Sequence, residues 1–408
     1  MKCILSGDEL EKELSKLLPS PISKWLQKTK LNKYCCLNQN MTQIGIDNIT
    51  NLDLILQAQK KKLDGLREKV KSLKFQAVDL AGNYTAISYM AIDGGMMSLD
   101  LNPIEADIIE IADSYGNIKM EFLCSSLEDQ QYQTQNYANL DNIKEIKSFL
   151  NTLGVKSIKD VSEILNNSGT YMEIAEWACI FDKIENAKDE NLIIMRDGLL
   201  RSKKLKSEHI KTLIKRLDEK KDKIKLVGVS KVSKLRSMLS YALYLEKIFP
   251  SDGIGYVKIP LELEIEAYTW SGHGLLKPEK LEPLNYAFGD LYIAKLSRKS
   301  NLLVTVELPS YLSKTEPRSK PVYTKGEIDK LFGHLATNSE YSYPIIGYPQ
   351  TIMLAHEEAV RLGFPADLVK DLIVDKMMNN LDEQTKVMIR DYQILESFVD
   401  KGVLGGDA

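Results

Sequence analysis

Acidic residues stand at three points of the sequence where their carboxylates could act together as metal ligands. Asp93 closes one apolar run, and Asp197 closes another later in the chain. Glu176 lies on an amphipathic segment between them, with Glu173 one turn earlier on the same face. Mg²⁺ and Mn²⁺ prefer oxygen ligands, and two such cations can clamp the attacking and leaving oxygens of a phosphodiester. These residue types therefore indicate metal-dependent phosphodiester chemistry.

Taken singly, each of these acids has an ordinary structural explanation. An Asp-Gly pair after a strand is most often a turn, and glutamates are common on helix surfaces. Competing residues also exist: Asp79 for the first position, without a following glycine, and Glu173 for the helix position. The hypothesis of a metal site therefore depends on a fold that brings all three positions together.

Hydrophobic periodicity predicts the elements that would position these acids. Alternating and continuous apolar runs predict strands, and an apolar stripe over 171–184 predicts a helix. Turn residues at 114–117, between two apolar runs, indicate a hairpin. The predicted strands are 85–92, 104–112, 118–124, 192–195, 224–229, 255–260, 262–270, 290–296 and 302–308, and further predicted helices are 143–150, 232–249 and 350–362. Thr324 and Glu327 have the spacing of a capping box at the start of another helix.

The order of these elements predicts the fold class. A three-strand meander, a helix, and then alternating strands and helices is the order of an RNase H-like core. In that architecture the first and fourth strands are neighbours, so Asp93 and Asp197 would meet beside the intervening helix. The prediction is an α/β fold, an RNase H-like mixed sheet flanked by helices. Residues 75–362 would form this core with insertions, 1–74 a helical N-terminal extension and 363–408 a set of C-terminal helices.

Four motifs resemble those of the NurA nuclease family and occur in the family's order. Ala91–Gly95 and Ile193–Leu200 resemble its two strands that end in Asp-Gly, Val227–Lys231 resembles its strand that closes on a lysine, and Tyr348–Ala359 resembles its tyrosine-proline turn before a helix with Ala-His. Gly95 and Leu199 depart from the pattern, because the family usually has serines there. Loss of those hydroxyls would weaken hydrogen bonds to the neighbouring acids.

The resemblance implies a manganese- or magnesium-dependent DNA nuclease that acts as a homodimer, and the clustered carboxylates predict two bound ions. It implies 5′–3′ end processing, endonuclease activity or both, with a HerA-type hexameric ATPase as partner, in DNA repair or anti-phage defence. Carried over by position, the metal ligands would be Asp93, Glu176, Asp197 and His356, with His356 a further ligand or a proton donor. Lys231 would contact the scissile phosphate as a fifth catalytic residue.

Charge is distributed unevenly along the 408 residues, although the formal net charge is only −3. From Arg201 to Arg236, fourteen lysines and arginines stand against four acids, a local excess of ten positive charges. Because this stretch follows Asp197 directly, it is predicted to contact the phosphate backbone of DNA. The alternative explanation is a solvated helix face. The lysines predicted to bind DNA are Lys203, Lys204, Lys206, Lys231 and Lys234.

Composition argues against several other classes of protein. The sequence has no Walker-type Gly-x-x-x-x-Gly-Lys-Ser/Thr motif, so a separate subunit must supply ATPase activity. Its five scattered cysteines include no C-x-x-C pair, which argues against a zinc site and for a reducing, cytoplasmic location. No apolar stretch is long enough to span a bilayer, so no membrane association is predicted.

Two other functions stay open at this point. The first is a non-cleaving subunit with an RNase H-like fold that grips DNA or docks the ATPase, a hypothesis that the departures at Gly95 and Leu199 favour. The second is a nuclease acting on RNA or RNA–DNA hybrids, because the acids alone do not distinguish these substrates. No alternation of aromatic and basic residues marks an RNA-binding module, however.

Overall fold

A computed structural model describes most of the chain. The described residues are 52–80, 87–100, 105–125, 136, 138–162, 168–186, 191–202, 204–231, 234–264, 287–312, 319–361, 372, 375, 379, 383, 386 and 387. The chain divides into two units, residues 1–65 and 66–408. Helix α1 (Leu52–Val70) contains the boundary between them, and it supplies all the described residues of the first unit.

The strands of the second unit form one mixed sheet. They are β1 (Gln76–Ala77), β2 (Ser88–Asp100), β3 (Glu105–Asp113), β4 (Ile118–Ser125), β5 (Leu192–Asp197), β6 (Ile224–Ser230), β7 (Gly255–Lys258), β8 (Gly289–Lys295), β9 (Leu303–Tyr311) and β10 (Lys320–Pro321). Their order is β1-β7-β8-β9-β6-β5-β2-β3-β4, with β10 paired to β9. Strands β2, β5 and β6 run parallel, whereas the meander β2-β3-β4 is antiparallel. The predicted meander and mixed sheet are therefore confirmed.

The centre of the sheet explains the continuous apolar runs of the sequence. Strands β5 and β6 are buried along almost their whole length, because each has a neighbouring strand on both sides and helices nearby. Strand β5 pairs with β2 in parallel register, with Met195 opposite Ala91. This pairing places the carboxyl end of β5 beside the middle of β2, the point where both acidic motifs lie.

Helices flank this sheet. Those of the second unit include α2 (Lys144–Leu153), α3 (Ser168–Asn186), α4 (Ser207–Lys220), α5 (Lys234–Leu245), α6 (Lys325–Ser339) and α7 (Gln350–Ala359). Helix α3 packs against β2, β3 and β4, and α7 packs against β2, β3 and β5. The capping box predicted at Thr324 and Glu327 is present at the start of α6. Among the described residues, no helix is long and apolar enough to cross a membrane.

Two of the element predictions are wrong in detail. Strand β2 continues to Asp100, so Asp93 lies within a strand and not at its end. The glycines that follow Asp93 make no turn, because each has a partner on β3. Residues 261–264 are helical where a strand was predicted from 262; Pro260 precedes them, and proline is favoured at helix starts. The rest of that strand, and most of the predicted N- and C-terminal helices, lie outside the described residues.

Candidate metal centre

Three side chains of metal-ligating type converge near the carboxyl end of β5. Ligand atoms of Asp93, Asp197 and His356 all lie within 4.8 Å of one another. The Nδ1 atom of His356 is 2.7 Å from Oδ2 of Asp93 and 3.7 Å from Oδ2 of Asp197. The side chain of Asp93 is buried, whereas that of His356 is 45% exposed. This group, called the trio below, is therefore open to solvent at its histidine.

The alternation of side chains along β2 assigns the surrounding residues to two faces of the sheet. Asp93 faces α7, where His356 lies, and Gly95 contacts the backbone of the same helix. Gly94, between them, faces α3, because a Cβ atom there would lie 2.8 Å from Oε1 of Glu176. The trio thus belongs to the α7 face, and the helix glutamate belongs to the α3 face.

Helix α7 rests directly on β2 at Gly95. A Cβ atom at this position would lie 1.8 Å from the carbonyl oxygen of Ala359, a separation that real atoms do not reach. The missing side chain lets α7 approach the strand, and His356, one turn before Ala359, reaches Asp93. The departure from the family's usual serine at position 95 therefore has a structural reason: a serine side chain does not fit beneath α7 in this arrangement.

Asp197 is held by two neighbours on the α7 face. The Tyr348 hydroxyl donates to Oδ1 of Asp197 at 2.6 Å and is 3.0 Å from the carbonyl oxygen of Val229. The Nζ atom of Lys231 is 3.3 Å from the other oxygen, Oδ2. Burial and the nearby Asp197 raise the pKa of Tyr348 well above its usual range, so the phenol stays a hydrogen-bond donor at neutral pH.

The tyrosine is a site residue that the sequence analysis did not single out. Its Tyr-Pro turn was recognised, but no role was given to the Tyr348 side chain. The available signal was its position just before the start of the helix that carries His356.

Glu176 lies beside the trio but has a different partner. Nε and Nη2 of Arg196 donate to its Oε2 atom at 3.0 and 2.7 Å. Both side chains are buried, and burial, opposed by the Arg196 charge, raises the pKa of Glu176 above its usual range. Glu173 lies 3.8 Å from Arg196 and 3.5 Å from Lys204. Over the part of the chain that the structure describes, neither glutamate joins a group of three close ligand atoms.

The donor set of the trio fits a divalent cation such as Mn²⁺. It offers two carboxylates and one imidazole, and manganese accepts both kinds of ligand. A dication would offset the repulsion between the two carboxylates. The hydrogen bond to Asp93 raises the pKa of His356, and a bound cation would take the place of the proton between them.

The lysines predicted to bind DNA occupy different settings. Lys231 lies beside the trio, as described above. Lys204 donates to a backbone carbonyl of α3 and pairs with Glu173, so its charge is engaged within the chain. Lys206 is partly exposed just before α4. Lys203 and the side chain of Lys234 lie outside the part of the chain that the structure describes.

The strand order β4-β3-β2-β5-β6 defines an RNase H-like fold, and the acids on β2 and β5 with the histidine on a later helix give it a candidate metal site. Within that fold class, the chain belongs to the NurA family, because the family model described as NurA domain matches residues 88–361. The match runs from the first residue of β2 to just beyond α7 and includes every residue of the trio.

Solved NurA structures are similar to this chain at low sequence identity. The NurA nuclease from Sulfolobus solfataricus is 13% identical, with a TM-score of 0.43 over 83% of this chain and 98% of that chain. A NurA structure bound to dAMP and manganese is 11% identical, with a TM-score of 0.40 over 83% of this chain and 99% of that chain. No curated relative matches the sequence. The assignment of this chain to the NurA family therefore rests on the family model and not on these structures.

Proposed function

We propose that this chain is a Mn²⁺- or Mg²⁺-dependent nuclease that hydrolyses phosphodiester bonds of DNA, with Asp93, Asp197 and His356 as metal ligands. The observation that carries the proposal is the convergence of these three side chains within 4.8 Å, open to solvent at the histidine. The NurA family model supports the same class of reaction. When bound, the cation would polarise the phosphate and lower the pKa of a coordinated water.

Neighbouring side chains would orient the ligands and offset the substrate charge. Tyr348 holds Oδ1 of Asp197, which leaves Oδ2 directed toward His356 and Lys231. Lys231 offers a positive charge to the phosphate at the edge of the trio. In the reaction a water oxygen bonds to phosphorus and loses a proton, the bond from phosphorus to the leaving sugar oxygen breaks, and that oxygen takes up one proton in exchange. The chain's own residues supply position and charge for this exchange.

The finer parts of the proposal come from the resemblance to the family. We infer a homodimer that receives duplex DNA from a HerA-type hexameric ATPase and cuts with 5′–3′ polarity, as an endonuclease, or both. Its role would be in DNA repair or anti-phage defence. The absence of a Walker-type motif from the sequence supports a separate motor subunit. The buried free thiols of Cys124 and Cys179 are consistent with a cytoplasmic location.

The proposal is tested by cleavage assays on linear duplex DNA, single-stranded DNA and RNA in Mn²⁺, with and without the ATPase. Asp93→Asn and Asp197→Asn should each lower the cleavage rate by roughly a thousandfold or more, because each removes a charged ligand. Asp79→Asn is the matched control, since Asp79 is an exposed acid outside the trio. Its cleavage rate should equal that of the unmodified protein.

Each alternative function predicts a different result in this assay. Cleavage that survives both ligand substitutions would mean that the reaction occurs elsewhere. DNA binding without cleavage in any condition would favour the non-cleaving subunit. Cleavage of RNA in preference to DNA would favour a ribonuclease.

A further inference from the structure

Arg196 is fixed on the α3 face of the sheet, directly behind the trio. Besides its two hydrogen bonds to Glu176, its Nη1 atom donates to the carbonyl oxygen of Leu199. Its guanidinium also lies over the ring of Trp177, 5.3 Å from the ring centroid. Only 8% of the residue is exposed. These contacts hold the guanidinium in place, because its movement would leave a buried carboxylate and a buried carbonyl oxygen without hydrogen-bond donors.

The charged side chains around the site are paired differently on the two faces of the sheet. Asp93 and Asp197 together carry two negative charges on the α7 face. On the α3 face, Glu176 is neutralised by Arg196, and Glu173 lies 3.5 Å from the ammonium group of Lys204. The α3 face therefore needs no dication for charge balance, whereas on the α7 face Lys231 offsets one of the two aspartate charges and a dication would offset the rest.

A second cation at Glu176 would have to displace this arrangement. Two-metal sites hold their ions about 4 Å apart, with carboxylates directed at both ions. Here Oε2 of Glu176 already accepts two N–H groups of Arg196. A dication at Glu176 would also be repelled by the adjacent guanidinium.

We infer that the nuclease site holds one divalent cation per chain and that Arg196 supplies a fixed positive charge at Glu176 in place of a second cation. This inference rests on the proposed function, and it departs from the two ions that the clustered carboxylates predict from the sequence. Arg196 is then a positioning residue, which acts through Glu176 and does not touch the substrate.

The test is a titration of the purified full-length chain with Mn²⁺, followed by calorimetry and by electron paramagnetic resonance of frozen samples. We expect one Mn²⁺ per chain and a spectrum without coupling between manganese ions, both alone and with saturating dAMP as product mimic. Glu176→Gln should change the dissociation constant for Mn²⁺ by less than about threefold, whereas Asp197→Asn should raise it by about tenfold or more.

Glu176→Gln removes the carboxylate that lies nearest to Arg196, so it should lower the melting temperature. The double variant Glu176→Gln/Arg196→Met removes both charges, so it should recover much of that loss and still bind one Mn²⁺. If the single variant does not fold, the double variant gives the same measurement.

The outcomes separate this inference from the function on which it rests. Two coupled manganese ions per chain, with the second lost in Glu176→Gln, would overturn the inference while leaving the nuclease proposal intact. No manganese binding together with no cleavage by the unmodified protein would instead overturn the proposed function.

Discussion

At the scale of single residues, Asp197 is held from two directions by side chains from separate segments of the chain. Tyr348 donates to one carboxylate oxygen, and Lys231 lies beside the other. Because a carboxylate held at both oxygens has few accessible rotamers, its position before substrate arrives is largely fixed. The two neighbours can be tested separately, since one acts on the carboxylate and the other on the substrate charge.

Tyr348→Phe should lower both Mn²⁺ affinity and the cleavage rate, each by about tenfold, because a hydrogen bond to a charged group is lost. Calorimetry and single-turnover cleavage measure the two effects. Tyr343→Phe is the matched control, because Tyr343 is 80% exposed in the same loop region. Equal effects of the two substitutions would contradict a specific role for the buried hydroxyl.

Lys231→Met should lower kcat/KM for DNA by about tenfold or more while leaving Mn²⁺ affinity nearly unchanged, because the proposed role of the ammonium group is to face the phosphate. Lys211→Met, at an exposed position of α4, serves as control for loss of one charge from the same basic stretch. A similar loss in both variants would mean that Lys231 acts only through bulk charge.

Residue types in the sequence predict part of the site, whereas the other contacts become visible only in the folded structure. Asp-Gly motifs at Asp93 and Asp197 identified two members of the trio, and the Ala-His motif identified His356. The ion pair between Glu176 and Arg196 could not be predicted, because an arginine beside a catalytic-type acid has no local signature. Only the pairing of β5 with β2 and the position of α3 bring those two side chains together.

At the scale of elements, the contact between α7 and β2 decides whether the histidine reaches the acids. Gly95→Ala places a Cβ atom against the carbonyl oxygen of Ala359, so the helix must shift. We expect a loss of about 1 to 3 kcal/mol in unfolding free energy, typical of overpacking, together with weaker Mn²⁺ binding. Chemical denaturation and calorimetry measure these effects.

Gly326→Ala is the control for that substitution. A Cβ atom at Gly326 meets nothing within 4 Å, and the residue lies in the first turn of α6. Its replacement should stabilise the chain by at most about 1 kcal/mol, through helix propensity. If Gly95→Ala were equally harmless, the close packing of α7 on β2 would be wrong.

Glu327 links α6 to β6, because it caps its own helix at Thr324 and pairs with Lys225. Burial opposes ionisation, but the hydrogen bonds from Lys225 and Thr324 prevail and lower the pKa of Glu327 to about 2. The unfolded chain has a pKa near 4.5 at this group, so the stabilisation is fully present above that pH and is lost as the pH falls from about 4.5 toward 2.

Glu327→Gln should therefore cost about 1 to 2 kcal/mol at pH 7, after allowance for solvent screening, and much less at pH 3. Urea unfolding at the two pH values measures the difference. An equal cost at both pH values would mean that the effect is one of shape and not of charge.

Periodicity predicted the elements best where the environment is uniform. The buried strands β5 and β6 and the capped helix α6 follow local patterns closely. Strand β2 extends past Asp93, however, because the ladder with β3 continues through both glycines. There, hydrogen bonds with a neighbouring strand outweigh the local turn propensity. Those bonds join residues far apart in the sequence, so a local sequence window does not reveal them.

At the scale of the whole molecule, a net charge of −3 coexists with the basic stretch from Arg201 to Arg236. We expect DNA affinity to fall steeply with salt, because phosphate contacts release counterions. Fluorescence anisotropy at several salt concentrations gives the slope. Lys206→Gln should reduce this slope by about one, whereas Lys204→Gln, already paired with Glu173, should leave it unchanged. Affinity that does not depend on salt would contradict the proposed DNA surface.

The three residues of the trio are widely separated in the sequence, at positions 93, 197 and 356. The trio can therefore form only after residue 356 has been synthesised. A nascent chain holds both aspartates long before the ribosome adds the histidine. Fragments released early, or trimmed ahead of α7, would carry two acids without the third ligand. Under the proposed function, such an incomplete chain should therefore lack nuclease activity, because the last proposed ligand is added only after the described strands of the sheet.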